Sequence, residues 1–140
     1  MYERGSEWRK WDLHLHTASS YDYEYKADDA DEILCKSLQE HNVAAVAITD
    51  HFNIDANRIK NLRKLAPNII FFPGVELRID KCGANTHVIL IFSEKLDLDV
   101  LEADFNAIMI REKAKYRDDI HKIFWDYNDV VDFAHKHTAM

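Results

Sequence analysis

Residues 11–17 read WDLHLHT: two histidines alternate with leucine at the end of an apolar run, behind an aspartate. A strand sends successive side chains to opposite faces, so residues two apart share one. Read as a strand, the stretch puts Asp12, His14 and His16 on one face and Leu13 and Leu15 on the other. A carboxylate beside two imidazoles is a metal-ligand pattern; the plain alternative is a polar strand face turned to water.

Working outward, Thr17 to Lys26 is a polar loop with three tyrosines, and Asp28 or Asp29 can cap a helix running to about His41. Val43–Ile48 (VAAVAI) is a continuous apolar run, the mark of a strand covered on both faces, and it ends in Thr49-Asp50-His51. A helix from about Asp55 to Leu65 is stopped by Pro67. A third strand, Asn68 to Phe72, is punctuated by Pro73-Gly74 and continues through Val75-Glu76-Leu77. Gly83 and Asn85 mark a turn before a fourth strand, Thr86 to Phe92. Helical patterns follow over Val100 to about Tyr116, Asp118 to Phe124 and Asp129 to His137. The order βαβαββ followed by helices predicts an α/β fold with a mostly parallel sheet.

In such sheets chemistry gathers at the carboxyl ends of the strands. The first strand ends in His14 and His16, the second in Asp50-His51, and the third carries Glu76. A hairpin near Gly83 brings His87 back to within a residue or two of Glu76. One histidine on an apolar segment is more often a core residue than a ligand. Three segments delivering His and Glu to one rim reverse that preference.

The ordered motifs D-L-H-L-H-T, T-D-H, P-G-V-E-L and T-H-V-I-L, from about Trp11 to Phe92, resemble the polymerase and histidinol phosphatase (PHP) domain family. The preceding G-S-E-W-R-K-W is similar to PHP domains that precede an SMC-like ATPase, although this chain contains no Walker-type glycine loop. The resemblance implies a distorted (βα)7-type barrel, here partial. It implies two or three divalent ions (Zn, Mn or Fe), a set that mixed imidazole and carboxylate ligands suit. Carried over motif by motif, His14 and His16 bind a first metal, Glu76 bridges it to a second held by His87, and Asp22 and His51 serve a third. His14, His16 and Glu76 are thus the catalytic core. Asp12 and Asp50 orient imidazoles from behind, and Arg78, two residues beyond Glu76, holds a substrate phosphate or forms a salt bridge. The implied reaction is hydrolysis of a phosphate ester by a metal-activated water. No Ser or Cys nucleophile is needed, and the sequence contains no nucleophile elbow.

The resemblance also departs in places. Relatives carry a late His and a final Asp-x-His, and nothing after His87 supplies the Asp-x-His. His135 and His137 lie on a helical pattern, where residues two apart diverge by about 200°, so they read as ordinary helix residues. The expectation is one domain over residues 1–140, the N-terminal part of a PHP domain. Its exposed strand edges and apolar surface would favour self-association. Two function classes stand beside the phosphomonoesterase: a 3′–5′ nuclease acting within a larger ATPase-linked protein, and a metal-binding module without turnover.

The 140 residues carry a net charge of −7, with 47% hydrophobic and 31% charged residues. That composition excludes a disordered chain and argues against a binder that relies on neutralising nucleic-acid phosphates, which leaves a small phosphate ester as the favoured substrate. No run approaches the ~18 apolar residues of a membrane span, and the N-terminus has no secretory core. Cys35 and Cys82 lack CxxC spacing and read as buried thiols in a reducing cytoplasm. His41 reads as a helix C-terminal cap, His121 as a solvent-exposed residue, and Arg63-Lys64 and Lys113/Lys115 as outer helix faces.

Overall fold

A computed structural model describes residues 8–81 and 86–138. Four strands form one sheet in the order β1 (Lys10–Leu15), β2 (Val43–Ile48), β3 (Ile70–Arg78) and β4 (His87–Ile91). The first three are parallel, and β4 runs antiparallel to β3. Helix α1 (Ala30–Glu40) connects β1 to β2, and α2 (Ala56–Leu65) connects β2 to β3. After β4 come α3 (Leu98–Lys115), a 3₁₀ turn (Ile120–Lys122) and α4 (Tyr127–Thr138). This is the α/β, mostly parallel architecture that the strand and helix order predicts. No helix among the described residues is long and apolar enough to cross a membrane. The expected turn residues Gly83 and Asn85, and Cys82, lie outside the described residues.

The helices pack on one face of the sheet. Cys35, Leu38, Ile59 and Leu62 from α1 and α2 cover Val46, Ile48 and Phe71. Leu101, Phe105 and Met109 from α3, with Trp125 and Phe133, cover Val75 and Leu77. Within the second cluster Phe105 stacks on Trp125 at 5.2 Å, and Trp125 Nε1 donates to Met109 Sδ at 3.2 Å. Burial of these large side chains is the main stabilising term.

Asp55 caps α2 by accepting from Arg58 N, and Asp97 caps α3 by accepting from Asp99 N and Val100 N. The Asp97 cap moves the start of α3 two residues ahead of the expected Val100. The helix expected over Asp118 to Phe124 is only the 3₁₀ turn. Arg117 and Asp118 both adopt left-handed backbone, with φ of 51° and 60°, which no helix can propagate through. Helix α4 starts at Tyr127 rather than Asp129, because Asp126 accepts from Asn128 N at 2.7 Å.

Strand β3 continues unbroken through Pro73-Gly74, which sit where it changes partners. Ile70–Pro73 pair with β2, and Gly74–Arg78 pair with β4. A Cβ on Gly74 would lie 2.6 Å from the Leu90 carbonyl oxygen and 3.0 Å from that of Ile48. Glycine is required there by close approach of two backbones.

Candidate metal centre

Strand β1 is not regular, and its irregularity aims the two histidines. Asp12 pairs with Val46 and Leu15 with Ile48, three steps on β1 against two on β2. Val46 and Ile48 share the helix-packed face, so Asp12 and Leu15 both lie on that face. The one-face arrangement expected for Asp12, His14 and His16 is therefore corrected: a bulge takes Asp12 away and leaves His14 and His16 on the opposite face, the usual effect of a bulge beside a site. Asp12 Oδ1 accepts the backbone N–H of His14 at 3.2 Å, and among the described residues Asp12 hydrogen-bonds no imidazole ring.

Glu76 is the hub. Its N–H donates to the Asp50 carbonyl at 3.2 Å, and its own carbonyl accepts from Phe52 N at 3.0 Å. On the other side it pairs with Ile89 of β4. Both of its backbone polar groups are thus tied to the segment after β2, and the side chain is buried. Its Oε2 lies 2.7 Å from His14 Nε2, 2.9 Å from His16 Nε2 and 3.6 Å from His51 Nδ1, and its Oε1 lies 2.5 Å from His87 Nδ1. His87 reaches it from β4, where it pairs with Arg78, two positions along, as the expected hairpin requires.

Asp22 meets the same cluster from the β1–α1 loop. Its Oδ2 is 3.2 Å from His51 Nε2 and its Oδ1 is 3.7 Å from His16 Nδ1. His14, His16, Asp22, His51, Glu76 and His87 thus converge, forming three overlapping groups whose ligand atoms lie within 4.8 Å of one another.

Electrostatics favour the cation-binding forms of Glu76, Asp22 and His51. Burial opposes ionisation of Glu76, but hydrogen bonds with His87 and His14, and the nearby His51 and His16, outweigh it and bring its pKa down to about 2. For Asp22, burial is likewise outweighed, here by the Ser20 hydroxyl and by His51 and His16, so its carboxyl ionises below the usual range. Burial lowers the pKa of His51 despite Glu76 and Asp22, which favours the neutral ring with a free lone pair.

The donor set fits divalent cations. His14 Nε2 and His16 Nε2 sit 3.2 Å apart with both facing one carboxylate oxygen. That is close to the roughly 3.3 Å between two ligands of a tetrahedral ion with bonds of about 2.0–2.1 Å. Among the described residues, no Lys or Arg forms an ion pair with Glu76, and its counter-groups are imidazoles. A neutral imidazole has one lone pair. His51 can therefore serve either Glu76 and His87 through Nδ1 or Asp22 through Nε2. One cation would be held by His14, His16 and Glu76, and a second would be held by His51 together with either Glu76 and His87 or Asp22.

Other expected site residues have different partners. Asp50 is buried and accepts from Thr17 N and Thr17 Oγ1 at 2.5 and 2.6 Å, holding the peptide that follows His16 rather than an imidazole. Burial, working against those two bonds, raises its pKa. Arg78 is half-buried and forms no salt bridge among the described residues. Its guanidinium donates to the carbonyls of Ile120 and His121 and lies over the rings of Phe52 and Phe124. His135 is exposed on α4, and His137 is buried against Phe133, 3.2 Å from Asp104. Neither belongs to the cluster. His41 caps α1, its Nδ1 2.8 Å from the Ser37 carbonyl, and Cys35 is a buried free thiol.

Sequence patterning passed over Ser20 and Tyr21, and read His121 only as solvent-exposed, which it is. Tyr21 packs on His51 at 5.4 Å and meets His121 edge-on at 5.3 Å, which brings an otherwise exposed histidine to the rim of the cluster. Ser20, two residues before Asp22, carried the one available signal, since Ser and Asp at that spacing commonly bond locally.

No family model and no curated protein matches the chain. Among solved structures it is similar to that of a candidate metal-dependent phosphoesterase from Bifidobacterium adolescentis. The TM-score is 0.49 at 16% sequence identity, covering 90% of this chain and 43% of that one. The chain therefore spans less than half of that protein's length.

Proposed function

We propose that the cluster is the metal centre of a metal-dependent hydrolase and, more narrowly, of a PHP-type phosphoesterase acting on a phosphomonoester. The observation that carries this reading is the buried Glu76 carboxylate, met on both oxygens by His14, His16, His51 and His87. Bound divalent ions would supply a water acidified towards neutral pH and positive charge for the phosphoryl oxygens. The protein's own part is positional. Glu76 offers one oxygen to each of two ligand groups, and its doubly tied backbone fixes their separation. Asp50 holds the chain beyond His16 through Thr17, and His51 stays neutral enough to donate a lone pair. Asp22 adds negative charge at the exposed edge.

The sheet is, on this reading, part of a PHP-type barrel within a single domain. The helix-free face that carries Glu76 also exposes Trp11, Ile70, Ile89 and Ile91, the face that further strands or a second copy would cover. That open face favours a second reading, a metal-binding module that turns over only when the face is covered.

The test is hydrolysis of p-nitrophenyl phosphate, histidinol phosphate and a single-stranded oligonucleotide with added Mn²⁺. Release of phosphate from the small esters, lost in His14→Ala, is the expected result. Cleavage of the oligonucleotide alone would replace the phosphomonoesterase by the nuclease reading. Metal binding without turnover on any substrate would leave the module reading.

A further inference from the structure

Ser20, in the loop between β1 and α1, is fully buried, and its polar groups are committed. Its N–H donates to the Thr17 carbonyl at 3.0 Å, and its carbonyl accepts from Lys26 Nζ at 3.0 Å and Tyr23 N at 3.3 Å. Its hydroxyl bridges the two ligands that arrive from different elements. Oγ accepts the backbone N–H of His51 at 3.2 Å and lies 2.6 Å from Asp22 Oδ1.

A hydroxyl has one proton. Because the His51 amide is the donor in the first bond, the Ser20 proton goes to Asp22 in the second. That bond fixes Asp22 Oδ1 and leaves Oδ2 towards His51 Nε2 at 3.2 Å. Asp22 needs such a hold. Its side chain is 41% exposed, it lies on a loop, and no strand pairing sets its direction.

We propose that Ser20 is a positioning residue for the Asp22–His51 cation group. Its hydroxyl locks the β1–α1 loop to the end of β2 and sets which oxygen of Asp22 a cation meets. The proposal rests on the reading of the cluster as a metal centre, and it assigns to Ser20 a role that acts only through Asp22 and His51. The His14–His16–Glu76 group receives no direct contact from Ser20; its one link is the longer 3.7 Å approach of Asp22 Oδ1 to His16 Nδ1, so it should depend on Ser20 far less.

The experiment is Mn²⁺ binding, followed by electron paramagnetic resonance and calorimetry, for the full chain and for Ser20→Ala, Asp22→Asn and the double variant. Groups that orient a ligand typically change metal affinity by about 10–100-fold. Ser20→Ala is expected to weaken the ion that depends on Asp22 by about tenfold or more and to leave the tightest ion unchanged. In the Asp22→Asn background, Ser20→Ala should have no further effect, an outcome that a merely structural serine would not give. Unchanged binding in Ser20→Ala, or an equal further loss in the Asp22→Asn background, overturns the proposal. A second reading needs no metal: the ¹⁵N resonances of the His51 ring should shift alike in Ser20→Ala and Asp22→Asn. Wild-type ring resonances in Ser20→Ala overturn the proposal even if the chain binds no Mn²⁺, a result that by itself would count only against the metal-centre reading.

Discussion

Glu76 Oε2 sits 2.7 Å from His14 Nε2 and 2.9 Å from His16 Nε2, one buried oxygen shared by two imidazoles from a single irregular strand. With its pKa brought down to about 2, Glu76 stays ionised in the folded protein at pH values where the unfolded chain, near 4.5, takes up a proton. The unfolded state therefore binds more protons between those values, so this contribution is present above pH 4.5 and is lost as pH falls towards 2. Acid titration of the metal-free protein, followed by circular dichroism, should show a shallower loss of stability over that window in Glu76→Gln than in wild type.

Gly74 sits between the Leu90 and Ile48 carbonyls with no room for a Cβ. Gly74→Ala should destabilise the fold by about 2 kcal/mol or more, since backbone on both sides must move. Urea denaturation measures this. A loss under about 0.5 kcal/mol, typical of unconstrained surface positions, would mean that the strand switch is looser than described.

Arg78 holds the 3₁₀ turn by its carbonyls. Arg78→Ala should cost about 1 kcal/mol of stability through loss of its hydrogen bonds to the two carbonyls. It should also abolish the nuclear Overhauser contact between the Tyr21 and His121 rings and leave Mn²⁺ affinity within about twofold. Unchanged stability with weakened phosphate binding would restore the substrate role expected from sequence.

Cys35 is 3% exposed, and burial, aided by Asp31 and Glu32, pushes its thiol up to about 11. The folded state keeps its proton above pH 9 while the unfolded thiol loses it, so stability falls as pH rises from 9 to 11. The loss is on the order of 2–3 kcal/mol. In a Cys82→Ser background, a thiol reagent at pH 8 should label the native chain far more slowly than the urea-unfolded chain. Equal rates would contradict the burial.

The convergence of these side chains was legible because each of His14, His16, His51, Glu76 and His87 ends, begins or interrupts an apolar run, and parallel topology brings strand ends together. Strict alternation misplaced Asp12, because a bulge that depends on β2 leaves no mark in β1 alone. The helix expected over Asp118 to Phe124 failed for a similar reason. Arg117 and Asp118 are left-handed without being glycine, so no punctuation announces the break. Arg78 and His121 meet only through the α3–α4 connection, and nothing local to either residue encodes that contact.

The central claim is tested most directly by elemental analysis of the chain purified without chelator and re-equilibrated with Mn²⁺ or Zn²⁺, beside Glu76→Gln with its fold checked by circular dichroism. Wild type is predicted to retain at least one divalent ion per chain, and Glu76→Gln to lose it while staying folded. No retained metal in wild type, or equal metal in both proteins, would contradict the assignment of Glu76 and its four histidines as a metal centre.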